Sequence, residues 1–396
     1  MNVPLLDLKI QYQSLKKELD EALLNVAESQ YFILGPEVQK LEEETCKYLG
    51  ANKAIGVSSG TDALLIALMA IDLQPGDEVI VPTYSFFATA GVVSRLNAIP
   101  VFIDCDPVTF NIDPAKIEEK ITSKTKAIVP VHLYGQSADM DAIMTIAKKH
   151  NLIVIEDGAQ AISTQYKDGR SVGTIGDIGC YSYFPSKNLG CFGDGGMVVT
   201  MDEKLGEKIN VLRVHGGKPK YYHGMIGGNF RLDAIQAAVL NVKLPHLDSW
   251  SEGRRHNAEL YTKLFTEAGL SEVEGKTKFD DSNKVLLPKA IYKNSEFGIQ
   301  NSKLKNYHIY NQFVIRVDKR DEMREFLSKN NIATEIYYPV PFHKQECFKD
   351  LPSSKDKYPN ADFAADKSIA LPIYPELTTE QITYVVEKIN EFLKLN

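Results

Sequence analysis

Lys187 and Asp157 stand 30 residues apart and are the two side chains around which chemistry can be built. Lys187 lies in IGCYSYFPSKNLGCFGDGGM (residues 178–197). Tyr181, Tyr183 and Phe184 precede it, Gly190, Gly193, Gly195 and Gly196 follow, and it has little charged company before Asp194. A lysine held near apolar surface loses its proton more easily, because desolvation disfavours the ammonium form. The neutral amine can attack a carbonyl, which is the chemistry of a Schiff-base lysine. A loop lysine whose glycines only make turns is the plainer reading. Asp157 ends the apolar run of LIVIEDGAQ (residues 152–160), and Gln160 follows it by three. In open α/β sheets ligands bind at the carboxyl ends of strands, and a carboxylate there can keep a pyridine nitrogen protonated. An aspartate in that position also caps a following helix.

Three further stretches carry donors or flat surfaces. In GVSSGTDALLIAL (residues 56–68) a strand ends at Val57, and Gly60 and Thr61 open a helix. Free N–H groups at a helix start bind anions, and glycine lets the backbone approach a phosphate. An ordinary N-cap by Ser59 or Thr61 accounts for the same residues. The loop has one glycine where GxGxxG has three, so it makes a poor nicotinamide fingerprint. In PTYSFFAT (residues 82–89) an aromatic side chain can stack on a planar ring or pack in the core. In GGNFRLD (residues 227–233) Asn229 and Arg231 can reach a phosphate or a carboxylate, or form a solvated helix start. Each stretch alone is ambiguous. Together they form a phosphate cradle, a stacking ring, an acid for a pyridine nitrogen and an amine for a carbonyl, which is the set that pyridoxal phosphate requires.

These residues need a scaffold, and the texture of the chain describes one. From residue 54, short β-branched runs (AIGVSS, DEVIVP, IPVFID, KAIVPVH, LIVIED) alternate with helical segments. That is the pattern of an α/β domain with a largely parallel sheet covered on both faces. Two helices precede it, at residues 11–29 and from about 37. Residues 177–200 read as hairpin-forming strands added to the same sheet, and a helix is expected over about 232–242. LPHLDSW begins as a polar-faced connector, so a domain boundary is placed at 248/249: an N-terminal segment with the large domain (1–248), and a small C-terminal α+β domain (249–396). In the latter, residues 272–305 read as an irregular exposed insertion, 310–317 as a strand, and 320–329 and 379–395 as helices.

The bulk numbers exclude several classes. A chain of 396 residues with 44% hydrophobic content can bury a large core. A net charge of -7 without a basic block argues against nucleic acid. Five scattered cysteines form no CxxC pair, which argues against a disulfide framework or a zinc site and fits a reducing cytoplasm. No metal is expected. The N-terminal stretch, charged from Asp7, does not read as a signal peptide, and no apolar run approaches the ~20 residues of a membrane span. A soluble cytoplasmic protein is the expectation.

YFILGPEV, SSGTDAL, GDEVIVPTYSFFAT, PVHLYGQ, IEDGAQA, YFPSKNLGCFGDGGM, NFRLDAIQAAVL and YYPVPFHKQ, spread over nearly the whole chain, give the sequence its resemblance to the DegT/DnrJ/StrS sugar aminotransferases, within the fold-type-I pyridoxal-phosphate enzymes. The resemblance implies that Lys187 binds the cofactor and later shuttles a proton. Asp157 would pair with the ring nitrogen, Gln160 would bond the ring hydroxyl, and Phe86 would stack on the ring. Gly60, Thr61 and Ser182 would hold the phosphate, and Asn229 would reach the phosphate of a neighbouring subunit, so a homodimer with shared sites is implied. Tyr31, Tyr183, Ser186, Arg231, Tyr337, Tyr338 and His343 would lie near the substrate. Tyr337 and Tyr338 read equally as packing at a domain junction, and Tyr337 departs from the histidine of some relatives.

By the same resemblance the reaction is a ping-pong transamination. L-glutamate donates the amine, pyridoxamine phosphate carries it, and a keto-sugar nucleotide accepts it. A UDP-linked 2-acetamido-3-keto hexose is favoured, and a dTDP-linked 3-keto or 4-keto 6-deoxyhexose is the alternative. A pyridoxamine-dependent dehydratase would carry histidine in place of Lys187. A regulator would want a helix-turn-helix pattern or a basic surface, and a nicotinamide epimerase an N-terminal GxGxxG with a Tyr-xxx-Lys pair.

Overall fold

The computed structural model describes residues 1–297 and 302–395. Seven strands form the main sheet: β1 (Lys53–Val57), β2 (Glu78–Pro82), β3 (Ile99–Ile103), β4 (Thr125–Ile128), β5 (Ile153–Asp157), β6 (Ile178–Ser182) and β7 (Gly196–Thr200). Their order is β1-β7-β6-β5-β4-β2-β3. The run from β3 to β6 is parallel, and β7 lies antiparallel between β6 and β1. The two strands expected around residues 177–200 are therefore antiparallel neighbours in the same sheet, and the chain between them, residues 183–195, carries Lys187. Strands β1, β2, β4, β5 and β6 all end at one edge.

The strand sequences are apolar on both faces because both faces are covered. Val79, Val81, Ile155, Ile178 and Val198 share a core with helices α3 (Gly60–Ala70) and α4 (Ala88–Arg95). On the other face Ile80, Ile128 and Val154 pack with α5 (Met140–His150), while Met197 and Val199 pack with α2 (Pro36–Leu49) and α7 (Ala234–Lys243). Leu15 and Leu19 of α1 (Leu8–Ser29) bury against Val239 of α7, and α6 (Glu203–Leu212) adds Ile209 to the first face.

A second core surrounds a three-stranded antiparallel sheet, β8 (Val285–Leu286), β11 (Phe313–Val317) and β12 (Ser368–Leu371). The two-residue strands β9 (Glu296–Phe297) and β10 (Ser302–Lys303) pair separately. Helices α8 (Leu247–Glu267), α9 (Arg320–Lys329) and α11 (Thr379–Leu395) cover this sheet, with α10 (Pro359–Lys367) leading into β12. Val3 bridges to Ile332 and is buried in this second core, so the first residues of the chain cross over to it. A division near residue 248 is proposed on the basis of these two cores.

Three expectations are corrected. The connector after α7 is helical: one 3-10 turn at Leu244–His246 runs straight into the 21-residue α8, whose Ala258, Tyr261 and Phe265 face the second core. The strand expected from residue 310 starts at Phe313, because Tyr310 takes a positive φ of 43°. Residues 272–305 are not wholly exposed. Val285, Leu286 and Leu287 are buried, and Tyr292 packs edge-on against Tyr166 at 5.3 Å; residues 298–301 of this stretch lie outside the described residues. Among the described residues no helix is long and apolar enough to cross a membrane.

Candidate active site

The strand ends bring four loops together. After β1, Ser59 caps α3 by accepting the Asp62 N–H at 3.0 Å, and Ser58 donates to the Asp62 carboxylate at 2.6 Å. The ordinary cap is therefore present, and the anion-binding character of the helix start comes with it. Gly60 is there for a steric reason. A Cβ would fall 2.5 Å from Ser182 Cβ and 3.0 Å from its Oγ, so only glycine lets the helix start rest on the end of β6. Asn229 and Arg231 run alongside: Ser58 N–H donates to Phe230 O at 3.0 Å, and Arg231 bridges to Val57. Arg231 Nε is buried with no hydrogen-bond partner among the described residues. Gly60, Thr61, Ser182, Asn229 and Arg231 thus come from segments that adjoin one corner.

Asp157 is the last residue of β5. Its Oδ2 accepts from Thr89 Oγ1 of α4 at 2.8 Å, and its Oδ1 accepts from Ala159 N–H at 3.1 Å. Burial raises its carboxyl above the ordinary range, against the pull of Thr89, Ala159 and the Lys187 charge. Burial also draws Lys187 down to about 8, opposed by Asp157. The two groups are thus pushed toward neutrality by the same desolvation while attracting each other. Near neutral pH such an amine is unprotonated more often than an ordinary lysine.

The loop holding Lys187 is pinned from outside. Lys187 N–H donates to Phe184 O at 2.8 Å. Asn188 donates to Ile309 O at 3.1 Å and accepts from Asn311 Nδ2 at 2.7 Å, both on the segment leading into β11. On the other side, α7 holds the loop twice. Lys243 Nζ donates to Gly190 O at 2.7 Å, and Gln236 Oε1 accepts Phe192 N–H at 2.8 Å. Lys243 lies 4.9 Å from the Phe192 ring centroid, and burial lowers its ammonium to about 8.

Phe86 is 57% exposed and presents its ring near Tyr338, at 6.1 Å between centroids. Gln160 is engaged at both ends: Oε1 accepts Tyr134 N–H at 2.6 Å, and Nε2 donates to the Tyr338 hydroxyl at 3.0 Å. Tyr84 and Tyr134 both donate to Tyr337 O, and Tyr338 N–H donates to the Tyr84 hydroxyl at 2.9 Å. Ser186 and Tyr337 line a small cavity of about 60 Å³ with Arg254 and Asn311.

Other expected residues are placed elsewhere. Tyr183 is fully buried with Leu189, Cys191 and Leu232 in the core beneath α7, so it packs there and does not face the cleft. Strand alternation accounts for this, since Tyr181 and Tyr183 point inward and Ser182 the other way. His343 is occupied on both nitrogens, by Thr83 Oγ1 at 2.9 Å and Asp362 Oδ1 at 3.1 Å, and anchors its own loop to β2. Tyr31 is 65% exposed on the segment that bridges to Asp233 ahead of α7. Thr89, Tyr84, Tyr134, Asn311 and Lys243 were not singled out from the sequence. Of these only Thr89 carried a signal, three residues after Phe86 at the start of a helix.

The family model described as "DegT/DnrJ/EryC1/StrS aminotransferase family" matches residues 13–390. A Geobacillus stearothermophilus protein named "Pleiotropic regulatory protein" is 50% identical over 394 residues, covering 100% of this chain and 99% of its own. The Acidithiobacillus ferrooxidans UDP-N-acetyl-3-dehydro-alpha-D-glucosamine 3-aminotransferase is 40% identical over 391 residues, covering 99% and 98%. The crystal structure of Streptomyces venezuelae DesV, in complex with a ketimine intermediate, superposes with a TM-score of 0.88 at 38% identity over 99% of this chain and 98% of that one. The chain belongs to the DegT/DnrJ/EryC1/StrS aminotransferase family. It is a sugar-nucleotide aminotransferase that uses pyridoxal phosphate. The residues present fit that cofactor: an amine of lowered basicity, a buried acid with open lone pairs, a glycine cradle that a Cβ would fill, and an unpartnered arginine nitrogen beside it.

Proposed function

We propose that this chain moves the amino group of L-glutamate onto a UDP-linked 2-acetamido-3-keto hexose, giving a 3-amino sugar nucleotide. The observation that carries the chemistry is the Lys187 amine, softened by burial, in the field of the Asp157 carboxylate at the shared edge of five strands. The substrate choice is supported by the 40% identical 3-aminotransferase, which matches almost end to end. A dTDP-linked 3-keto or 4-keto 6-deoxyhexose is the competing acceptor.

Bound pyridoxal phosphate supplies an aldehyde for amine exchange and a protonated ring that takes up electrons. In this reading Lys187 Nζ would hold the cofactor, and its free amine would be the acid–base group that moves the proton at the donor's α-carbon. Asp157 would keep the ring nitrogen protonated, with Thr89 and Ala159 holding Asp157 oriented. Phe86 would stack on the ring, and Gln160 would bond its hydroxyl. Gly60, Thr61 and Ser182 would receive the phosphate, with Asn229 serving the neighbouring subunit. Tyr31, Ser186, Arg231 and Tyr337 form the sugar-facing rim. The homodimer is supported by apolar side chains left in solvent on the segments around the site: Tyr31, Ile33, Phe184 and Ile226, the last 91% exposed.

The decisive variant is Lys187→Ala. The purified wild type should show a visible cofactor band, and the variant should lose both the band and turnover; a variant with full activity ends the proposal. A panel of keto-sugar nucleotides with glutamate then identifies the acceptor. A regulatory role is the second reading, favoured by the name of the 50% identical relative. A purely regulatory protein would show no lysine-dependent band.

A further inference from the structure

Tyr338 has a hydroxyl whose proton is unassigned. The amide of Gln160 cannot turn over, because its Oε1 accepts the Tyr134 backbone N–H at 2.6 Å. Its NH₂ group therefore faces Tyr338, and the 3.0 Å bond between them makes the Tyr338 oxygen an acceptor. The phenol is left with its own O–H to donate. Among the described residues nothing takes that proton. The titratable groups around it are Asp157 on β5, Tyr84 after β2, Tyr134 after β4 and the adjacent Tyr337. Asp157 is bonded to Thr89 and Ala159; Tyr84 accepts from the Tyr338 backbone N–H and bonds Tyr337 O, as Tyr134 does. Burial, then the Asp157 charge, push the phenol far above its ordinary value, so it stays protonated across the working range. The side chain is half-buried at the mouth of the site, so this free donor is open to an acceptor supplied by a ligand.

Position says which ligand. Tyr338 touches Gln160, its ring tilts against Phe86 at 6.1 Å, and it lies in the field of Asp157. These are the three residues read above as facing the cofactor ring. None of its hydrogen bonds goes to Ser186 or Arg231 on the sugar-facing rim. We infer that Tyr338 donates its hydroxyl proton to the ring oxygen of pyridoxal phosphate, sharing that oxygen with Gln160, and is therefore a cofactor contact in place of the sugar contact that the sequence suggested. This rests on the reading of Asp157, Gln160 and Phe86 in the preceding subsection. Tyr134 and Tyr84 act behind it as positioning residues, one locking the Gln160 amide and the other holding the Tyr338 backbone.

The consequence concerns proton affinity. A donor at the ring oxygen draws charge from it and loosens its hold on the proton shared with the Lys187 nitrogen. Removing the donor should strengthen that hold. The test is the pH titration of the visible band in wild-type and Tyr338→Phe holoenzyme. The midpoint should rise by about one pH unit, a tenfold change in proton affinity. Gln160→Leu should move it the same way, and the double variant should shift by less than the sum, because the two share one acceptor. An unchanged midpoint in Tyr338→Phe, with the band intact, overturns the inference while leaving the aminotransferase reading in place. So does a change confined to the KM for the sugar nucleotide, which would send the proton to the substrate. Absence of a lysine-dependent band in the wild type would overturn both.

Discussion

Glu156 and Asp157 are consecutive acids at the end of the same strand, both buried, and their ionisation is shifted in opposite directions. Strand alternation sends them to opposite faces. Glu156 meets four donors: His132 Nε2 at 2.8 Å and Gly173 N–H at 2.7 Å on one oxygen, Ile175 and Gly176 N–H at 2.7 and 2.6 Å on the other. His132 Nδ1 accepts Ala138 N–H, so Nε2 carries the proton that Glu156 receives. Burial alone would raise Glu156, but these donors outweigh it and hold the carboxyl below its ordinary value. Asp157 has two donors, and its desolvation is not offset. A carboxylate filled on every side is a structural knot, tying β5 to the loop before β6. A half-filled one is left to bind something else.

That contrast can be broken by substitution. The largest effect is expected at the half-filled acid. Asp157→Asn should slow single-turnover transamination by roughly 10³-fold, within the range of a lost acid–base or electrostatic partner. Its denaturation midpoint should barely move, since a neutral amide suits a desolvated position. A rate within a few-fold of wild type would remove the functional half of the contrast.

Glu156→Gln should do the reverse. It sets an amide NH₂ against backbone N–H donors and should cost about 3 kcal/mol of stability at pH 7 in urea unfolding, while the surviving folded enzyme keeps a rate near wild type. Glu156 contributes its full stabilisation above 4.5, its ordinary value, and loses it as pH falls through the lowered folded-state value. The gap between variant and wild type should therefore narrow in acid. A gap that is constant or widens below pH 4.5 would mean that charge is not what Glu156 contributes.

The smallest effect tests how far two donors suffice. Thr89→Val removes the 2.8 Å bond to Asp157 and should slow turnover about tenfold, by ~1.4 kcal/mol in barrier. Loss equal to Asp157→Asn would show that Thr89 carries the acid's whole function.

What the sequence makes legible follows from the range of the interactions concerned. Lys187, Asp157 and Gly60 stand out because residue type and position at a strand end are local properties, and the strands themselves are written in β-branched runs. The main sheet and helices such as Arg320–Lys329 follow from periodicity alone. The burial of Tyr183 is legible locally, since Tyr181 and Tyr183 share a face that Ser182 does not. The bonding of His343 is not legible: its partner Thr83 lies 260 residues away, and no local pattern marks the pairing. The same holds for Lys243, which reads as a surface lysine at a helix end and is instead buried on the loop of Lys187. VLL at 285–287 was a readable strand in a stretch whose polar average concealed it.

The amide pair Asn188–Asn311 has a mechanical consequence. The residue next to Lys187 is bonded at 2.7 Å to a side chain at the entrance of β11, and at 3.1 Å to Ile309 O in the same segment. That segment belongs to the neighbourhood of the second core, whereas Gly190 and Phe192 are gripped by α7 in the first. Two residues, Asn188 and Leu189, separate Lys187 from the α7 grip at Gly190 and link the surroundings of the two cores. The backbone on the C-terminal side of Lys187 is thus fixed from both cores at once, which sets where the amine sits.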